Sequence, residues 1–216
     1  MAVPPPSDRV RLRRYHERGA HDPSVLHAII DAIPLCSVGY VFDGQPYVTP
    51  TLHWREGDHI YWHGSSASRM LRAVEDTPVC LTVSITDGIV LARAGFHHSI
   101  KYRSVMMLGT ARKVDATGEK EGRLRTFVES MFPGRWDMLR PPTGQEIKAT
   151  TVMTMPIDEA SAKIRHGPPG DDEEDYELPI WAGVIPVRTQ VLDPVPDPRN
   201  IEGVPVPDHV TRFRMG

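Results

Sequence analysis

The stretch LCSVGYVFDGQPYVTPTLHWREGDHIYWH, residues 35–63, decides the fold class of this chain. Apolar, β-branched and aromatic residues dominate three short runs, and glycine-containing turn signals separate them. An Asp-Gly pair between two apolar runs is a strong signal for a tight hairpin. The pattern therefore predicts a three-stranded antiparallel meander with strands at 35–42, 46–54 and 59–63 and turns at Asp43-Gly44 and Glu56-Gly57-Asp58.

Further strands and several helices are predicted on both sides of this meander. The run 102–114 is long enough to bend around a barrel, with Gly109 as the expected bend. About six strands joined mostly by tight turns favour a mainly β protein, a small antiparallel barrel with helices packed outside. The other predicted strands are 79–86, 89–94 (joined through Asp87-Gly88) and 150–157, and the predicted helices are 22–32, 66–75, 117–131 and 143–148.

Composition excludes several classes of function. The chain has 216 residues, 40% of them hydrophobic and 25% charged, with a formal net charge of −3. That charge argues against a nucleic-acid partner, and no apolar run approaches the roughly 20 residues needed to cross a membrane. Cys36 and Cys80 lie in apolar runs and are interpreted as buried thiols. With no secretion signal at the N-terminus, we expect a cytoplasmic protein.

The chain holds 21 prolines, which are concentrated at Pro4–Pro6, at Pro141-Pro142, at Pro168-Pro169 and in the tail from Pro194 to Pro207. Such segments do not form central strands or long helices. We therefore expect arms that lie along the protein's own surface and that of a partner subunit. The predicted organisation is an N-terminal arm over 1–20, a barrel domain over 21–186 and a Pro-rich tail over 187–216.

A serine-rich loop after the third strand is the first candidate binding site. Gly64 allows a turn, and Ser66, Ala67 and Ser68 lie at the start of the helix predicted over 66–75, whose N-terminus suits an anion. Arg69 adds a guanidinium that makes bidentate contacts with phosphate. The alternative is an ordinary capped helix with a solvent-facing arginine.

The entry to the long strand is the second candidate. Ser99, Lys101, Tyr102, Arg103 and Ser104 fall within six residues. On a strand, the two cations share one face, where they meet an anion or the edge of a heterocycle. The alternative is a polar loop that enters an outward-facing strand.

Other polar clusters carry weaker signals. His53 and His63 lie near the ends of neighbouring predicted strands and could face each other, but no ligand spacing is recognised, so no metal site is expected. No GxSxG, GxGxxG or P-loop sequence occurs. The acidic run 171–175 is interpreted as a solvated loop that pairs with the basic segment 161–169 across a subunit boundary.

Four segments in order resemble a known family: the helix 22–32, the loop Tyr61 to Arg69, the strand entry His98 to Val105, and Trp181 to Pro186. They are similar to the pyridoxamine 5′-phosphate oxidase-related flavin-binding proteins, in the branch that includes nitroimidazole-resistance reductases. The resemblance implies a six-stranded antiparallel split β-barrel with flanking helices, forming a homodimer with FMN at the subunit interface.

The resemblance also implies a set of cofactor-binding residues. Ser66, Ala67, Ser68 and Arg69 would hold the phosphate, while the segment 99–104 would add contacts. Lys101 stands where the resemblance leads us to expect asparagine. The remaining members are Val48, Thr49, Pro50 and Thr51 along the flavin ring, His63, and Trp181 from the partner chain.

We therefore expect an FMN-dependent oxidoreductase that transfers electrons or hydride to a small organic substrate. Lys101 or Arg103 would stabilise the negative charge of the reduced flavin. No side chain is identified as a catalytic proton donor. The C-terminal segment lacks the arginine and histidine motif of a true pyridoxamine phosphate oxidase. The alternatives are a flavin-storage protein, the same barrel binding a deazaflavin or heme (through His53, His63 or His98), and a structural dimer without cofactor.

Overall fold

The computed structural model describes residues 3–216 as a mainly antiparallel β protein with short helices. The strands are β1 Gly19–Ala20, β2 Leu35–Phe42, β3 Gln45–Glu56, β4 His59–Ser65, β5 Pro78–Leu91, β6 Ser99–Thr110, β7 Arg112–Lys113, β8 Thr150–Pro156, β9 Glu159–Arg165 and β10 Gly183–Pro186. The helices are α1 Pro23–Ile30, α2 Arg69–Val74, α3 Thr117–Met131, α4 Gly144–Ala149 and α5 Asp208–Thr211.

The predicted meander is confirmed. β2 pairs with β3 from Leu35–Leu52 to Phe42–Gln45, and β3 pairs with β4 from His53 onward. Both turns have the left-handed backbone that favours glycine: φ is 49° at Asp43, 74° at Gly44 and 57° at Gly57.

Six strands enclose the main core and confirm the split barrel. The sheet order is β1-β9-β6-β5-β2-β3-β4-β8-β7, and β7 continues β6 after one intervening residue, Ala111. The long predicted strand therefore leaves its pairing with β5 and joins β8, which closes the barrel. Near this bend, a Cβ on Gly109 would lie 2.6 Å from Cγ of Met155, so β6 and β8 approach closely there.

The predicted hairpin at Asp87-Gly88 is wrong. β5 is one strand of 14 residues whose pairing with β6 shifts register between Thr86 and Gly88. Gly88 does not have a positive φ, and β10 packs against it, with the Ile185 carbonyl oxygen 2.9 Å from where a Cβ would stand. Glycine is required here for close packing rather than for a turn.

β9 was not predicted, because its residues were interpreted as part of a basic segment. It pairs with β6 along seven residues and with β1 at Lys163 and Ala162. Its buried positions are the small residues Ala160, Ser161 and Ala162. Alanine and serine give little strand signal, so the sheet rather than local propensity selects this strand.

Two hydrophobic clusters stabilise the fold. The larger fills the barrel and includes Trp62, Leu81 and Met107, each fully buried. The smaller lies on the outside of the sheet, where Leu124 and Phe127 of α3 pack against Trp54, Tyr61, Val114 and Val152. α3 has the predicted bounds, and α1 begins as predicted after Asp22, whose side chain accepts a hydrogen bond from the Ser24 N–H (2.9 Å).

Both ends of the described chain pack on the barrel domain. Val10 of the N-terminal arm is buried, and the arm leads into β1; residues 1 and 2 lie outside the described residues. The tail 187–216 is largely exposed, but Gly216 N–H donates to the Ala32 carbonyl (2.8 Å). Among residues 3–216, none of the helices combines the length and apolar character of a membrane span.

Candidate functional site

The predicted phosphate loop follows β4, but α2 begins only at Arg69, three residues later than predicted. The residues before it form a separate turn that engages their backbone N–H groups. Ser66 N–H donates to the Ala149 carbonyl (2.8 Å), Ala67 N–H to the Ser65 hydroxyl (3.2 Å) and Ser68 N–H to the Ser65 carbonyl (2.8 Å). A phosphate bound here would therefore depend on side-chain donors more than on an open backbone cradle.

Side-chain donors are available at this loop. The Ser68 side chain makes no capping hydrogen bond, and the Arg69 guanidinium lies 4.6 Å from the centre of the Tyr47 ring. Arg72 was missed by the sequence analysis. Its Nε donates to the Ser66 carbonyl (3.0 Å), which leaves its other nitrogens free to act beside Arg69. Its spacing of three residues from Arg69 on a helix was the available signal.

The structure brings the loop next to the predicted ring-binding strand. Arg69 contacts Tyr47, whose neighbour Val48 is 71% exposed. Thr49 and Thr51 alternate with Val48 and Pro50, and the Thr49 hydroxyl donates to the Tyr40 hydroxyl (3.4 Å). Residues 45–52 pair with β2 alone within the described chain, so their other edge is open beside the loop.

The second candidate segment lies elsewhere in the same chain. Residues 99–104 belong to β6, which β5 and β2 separate from β3. Arg103 makes two hydrogen bonds to Asp87 (2.9 and 2.8 Å), and this carboxylate raises the pKa of Arg103. Lys101 has no ion-pair partner among residues 3–216. Lys101 is therefore the cation of this segment that is available to a ligand. Ser99 pairs with Val90, while Tyr102 and Ser104 point to the face opposite Lys101.

Trp181 lies just before β10, whose position is set by its pairing with β5. β10 begins two residues later and pairs with β5 from Gly183–Leu91 to Pro186–Gly88. The indole is 69% exposed and packs over Gly183, where a Cβ would lie 2.8 Å from Cζ2. An exposed indole held beside a paired strand is available to a ligand or a partner chain.

His63 and His53 do not face each other, which corrects the prediction. His53 is opposite Trp62 in the β3–β4 register, so His63 lies on the other face of the sheet. His63 packs 4.7 Å from the Phe127 ring and lines an apolar cavity of about 450 Å³ between α3, α4 and β4. Burial lowers the pKa of His63, and its Nδ1 is buried without a hydrogen bond.

A second, larger cavity of about 640 Å³ was not predicted. The C-terminal segment closes it, so no local pattern could reveal it. Its lining includes Ile30, Asp31, Ile33, Pro34, His53, Trp54, Arg55, Met131, Pro133, Asp208, His209, Arg212, Phe213 and Arg214.

His53 is the most constrained group in that cavity. It is 3% exposed, and its Nε2 lies 3.0 Å from the Ile30 carbonyl. Since a carbonyl only accepts, Nε2 carries the proton and Nδ1 keeps a lone pair. That Nδ1 is buried and has no partner among the described residues. Burial lowers the pKa of His53, which keeps the ring neutral.

The acidic run also departs from its prediction. The Asp171 carboxylate is buried, accepts from the Arg93 N–H (2.9 Å) and pairs with the Arg93 guanidinium (3.1 Å). It therefore pairs within its own chain and with a residue outside 161–169. Potential metal-ligand atoms of His97, Asp171 and Asp175 lie within 4.8 Å of one another, but Asp171 is already neutralised by Arg93.

Comparison with known proteins defines the family. A family model described as pyridoxamine 5′-phosphate oxidase matches residues 22–164, and the chain belongs to this family. No curated protein matches it in a parallel comparison.

Solved structures match over more of the chain. The flavocytochrome Anf3 from Azotobacter vinelandii is 51% identical, with a TM-score of 0.96, over 98% of this chain and 99% of that one. An FAD and heme binding protein from Mycobacterium smegmatis is 35% identical, with a TM-score of 0.87, over 92% and 98%. A 5-nitroimidazole antibiotic resistance protein from Bacteroides thetaiotaomicron shares the fold at 23% identity and a TM-score of 0.55, over 68% and 86%.

Proposed function

We propose that this protein is a flavin- and heme-binding redox protein that works as a homodimer. The observation that carries the proposal is the 51% identity to a flavocytochrome over 98% of the chain. The similarity extends past the family model, which ends at residue 164, into the C-terminal tail. A second protein of similar length, 35% identical, binds FAD and heme.

The loop at 66–69 holds the phosphate of the FMN moiety, either as FMN itself or as one half of FAD. The hydroxyls of Ser66 and Ser68 and the guanidinium of Arg69 supply the donors, and Arg72 adds charge. Val48, Thr49, Pro50 and Thr51 line the adjacent open strand edge and orient the ring. Charge-assisted hydrogen bonds of this kind are roughly twice as strong as neutral ones.

The second half of the flavin site comes from the other subunit. Within one chain, β5 and β2 separate the segment 99–104 from the ring-binding residues 48–51 of β3. A partner that presents Ser99, Lys101 and Trp181 to the loop would complete the site. The outer face of β2 and β3 suits such a partner because it exposes apolar side chains in a row: Leu35 (53%), Val41 (62%), Val48 (71%) and Leu52 (39%).

Bound flavin and heme would supply the electron-transfer chemistry, and the protein tunes it. Lys101 places an unpaired positive charge on β6, whereas Asp87 neutralises the charge of Arg103. We therefore assign to Lys101 the role of stabilising negative charge on the reduced flavin. A small organic molecule is the proposed electron acceptor.

Three measurements on the purified protein test the cofactors. An absorption spectrum should show flavin bands and a heme Soret band. Mass spectrometry of the material released on denaturation should show FMN or FAD, and the mass decides between them. A pyridine hemochromogen assay should show one heme per chain. A colourless protein that takes up neither added flavin nor hemin would refute the proposal.

The redox role and the dimer need separate tests. Bleaching of the flavin by a reductant, followed by recovery with a small organic acceptor, supports an oxidoreductase; a flavin that no donor reduces supports storage. For the dimer, Val48→Asp should shift the mass measured by light scattering from dimer to monomer. Val195→Asp, at a 91% exposed position in the tail, is the control and should stay dimeric.

A further inference from the structure

We propose that the 640 Å³ cavity beneath the C-terminal tail is the heme site and that Nε2 of His209 is an axial ligand of the iron. This inference rests on the proposed function, because the heme itself is taken from that proposal. What it adds is the site and the residue, neither of which the sequence pattern or the family match indicates.

The two histidines of the cavity carry the first argument. His209 and His53 both line it, and each keeps one buried ring nitrogen without a hydrogen-bond partner among residues 3–216. Buried polar atoms are rarely left unpaired, and imidazole nitrogen is a common axial ligand of heme iron. The free nitrogen of His209 is Nε2, the one farther from the backbone.

His53 is fixed in the form that binds a metal or accepts a hydrogen bond. Its Nε2 proton is committed to the Ile30 carbonyl (3.0 Å), the arrangement that orients metal-binding histidines in many sites. Its Nδ1 lone pair is therefore held in place within the lining. We assign to His53 the role of a positioned polar group in the cavity that would hold the heme.

The rest of the lining suits a flat apolar ring with acidic side groups. Ile33, Pro34, Trp54, Met131 and Phe213 supply apolar and aromatic surface. Phe213 is itself held by Phe132, with ring centres 5.1 Å apart.

The arginine side chains in the cavity lining suit the two negatively charged carboxylates of heme. Arg55 pairs with Asp31 and Arg212 pairs with Asp208. Arg214 donates only to the backbone carbonyls of Thr211 (3.0 Å) and Phe213 (2.7 Å). It is thus a cation without a carboxylate partner in the described chain, and we assign it to a heme propionate.

The extent of the sequence match to a similar heme-binding protein favours the cavity beneath the tail over the cavity that contains His63. The flavocytochrome matches 98% of the chain, so its similarity extends into the tail. The cavity that contains His63 is lined by residues 63–150, which lie within the family model's range of 22–164. The cavity beneath the tail requires residues 208–214, beyond that range.

The test replaces His209 by Gly in the full-length protein and compares it with His166→Gly, a change at an exposed histidine. Heme content is measured by pyridine hemochromogen, heme ligation by the Soret band, and flavin content by release. We expect His209→Gly to lower the affinity for added hemin by about tenfold or more, with flavin content unchanged. Added imidazole should restore the Soret position, and His166→Gly should match the wild type.

A second variant guards against misfolding of the first. Arg214→Gln should weaken hemin binding while flavin content and the Soret position stay as in the wild type. Unchanged heme content and Soret band in His209→Gly would overturn the assignment, as would loss of heme in His63→Gly alone. Wild-type protein that contains flavin but takes up no hemin would refute the heme half of the proposed function, and this assignment with it.

Discussion

Replacing Gly88 by Ala should loosen β10 from the barrel. An added Cβ at this position would lie 2.9 Å from the Ile185 carbonyl oxygen and 3.0 Å from Cγ1 of Val184. The nearer atom belongs to the backbone, so no rotamer change relieves the contact and β10 itself must shift. Overpacking of this kind costs about 1–3 kcal/mol.

The expected loss is large enough to measure by thermal unfolding. For a chain of this size, 1 kcal/mol lowers the Tm by about 2–4 °C, so Gly88→Ala should unfold roughly 2–12 °C below the wild type. Amide hydrogen exchange should locate the effect, because the N–H groups of β10 should exchange faster than those of β2. If the flavin site includes Trp181, flavin affinity should fall as well, since this residue is held by β10.

Gly95→Ala is the matched control. Apart from its two chain neighbours, no atom of residues 3–216 lies within 4 Å of a Cβ at Gly95, and the φ of Gly95 is not positive. Alanine there should be neutral or stabilise the fold by about 0.4–1 kcal/mol. The reasoning fails if Gly88→Ala and Gly95→Ala have the same Tm, or if exchange in β10 is unchanged.

Three further predictions concern charge. Lys101→Met should lower the reduction potential of the bound flavin by a few tens of mV, where 30 mV corresponds to about 1.4 kcal/mol for two electrons. Arg103→Met should mainly lower the Tm. Equal reduction potentials in the two variants would contradict the assignment. Arg69→Gln should weaken flavin binding about tenfold, as loss of a charged hydrogen bond does, and Arg112→Gln, also exposed, should not, as measured by fluorescence titration. Hydrogen bonds from Arg140 and from Thr143, the N-cap of α4, lower the pKa of Glu146 from 4.5 to about 2. The stability from ionised Glu146 is therefore complete above pH 4.5 and lost as pH falls toward 2, so the Tm difference between the wild type and Glu146→Gln should shrink over that range.

Local sequence signals account for much of the fold. The Asp43-Gly44 turn and the helix 117–131 follow from patterns that span a few residues, and the structure confirms both. The run 102–114 is longer than pairing with one straight neighbouring strand needs, and this length predicted the closure of the barrel. Family membership also followed from ordered segments of sequence.

The errors share a physical cause. Asp87-Gly88 has the composition of a turn, yet the carboxylate pairs with Arg103 and the glycine accommodates β10, both of which are distant in sequence. β9 gives little local signal because its buried residues are small, and its pairing with β6 selects it. In both cases, tertiary contacts outweigh local propensity.

Short-range periodicity and turn chemistry encode the fold class, the family and the serine-rich loop with Arg69, so all three could be predicted from the sequence. Which groups are free to act depends instead on long-range packing. The backbone N–H groups of residues 66–68 make hydrogen bonds within the chain, and Arg103 pairs with Asp87. Lys101 has no ion-pair partner among residues 3–216. The tertiary structure also brings His209 to His53 around one cavity, although 155 positions separate them, since long-range packing alone places a tail on a barrel.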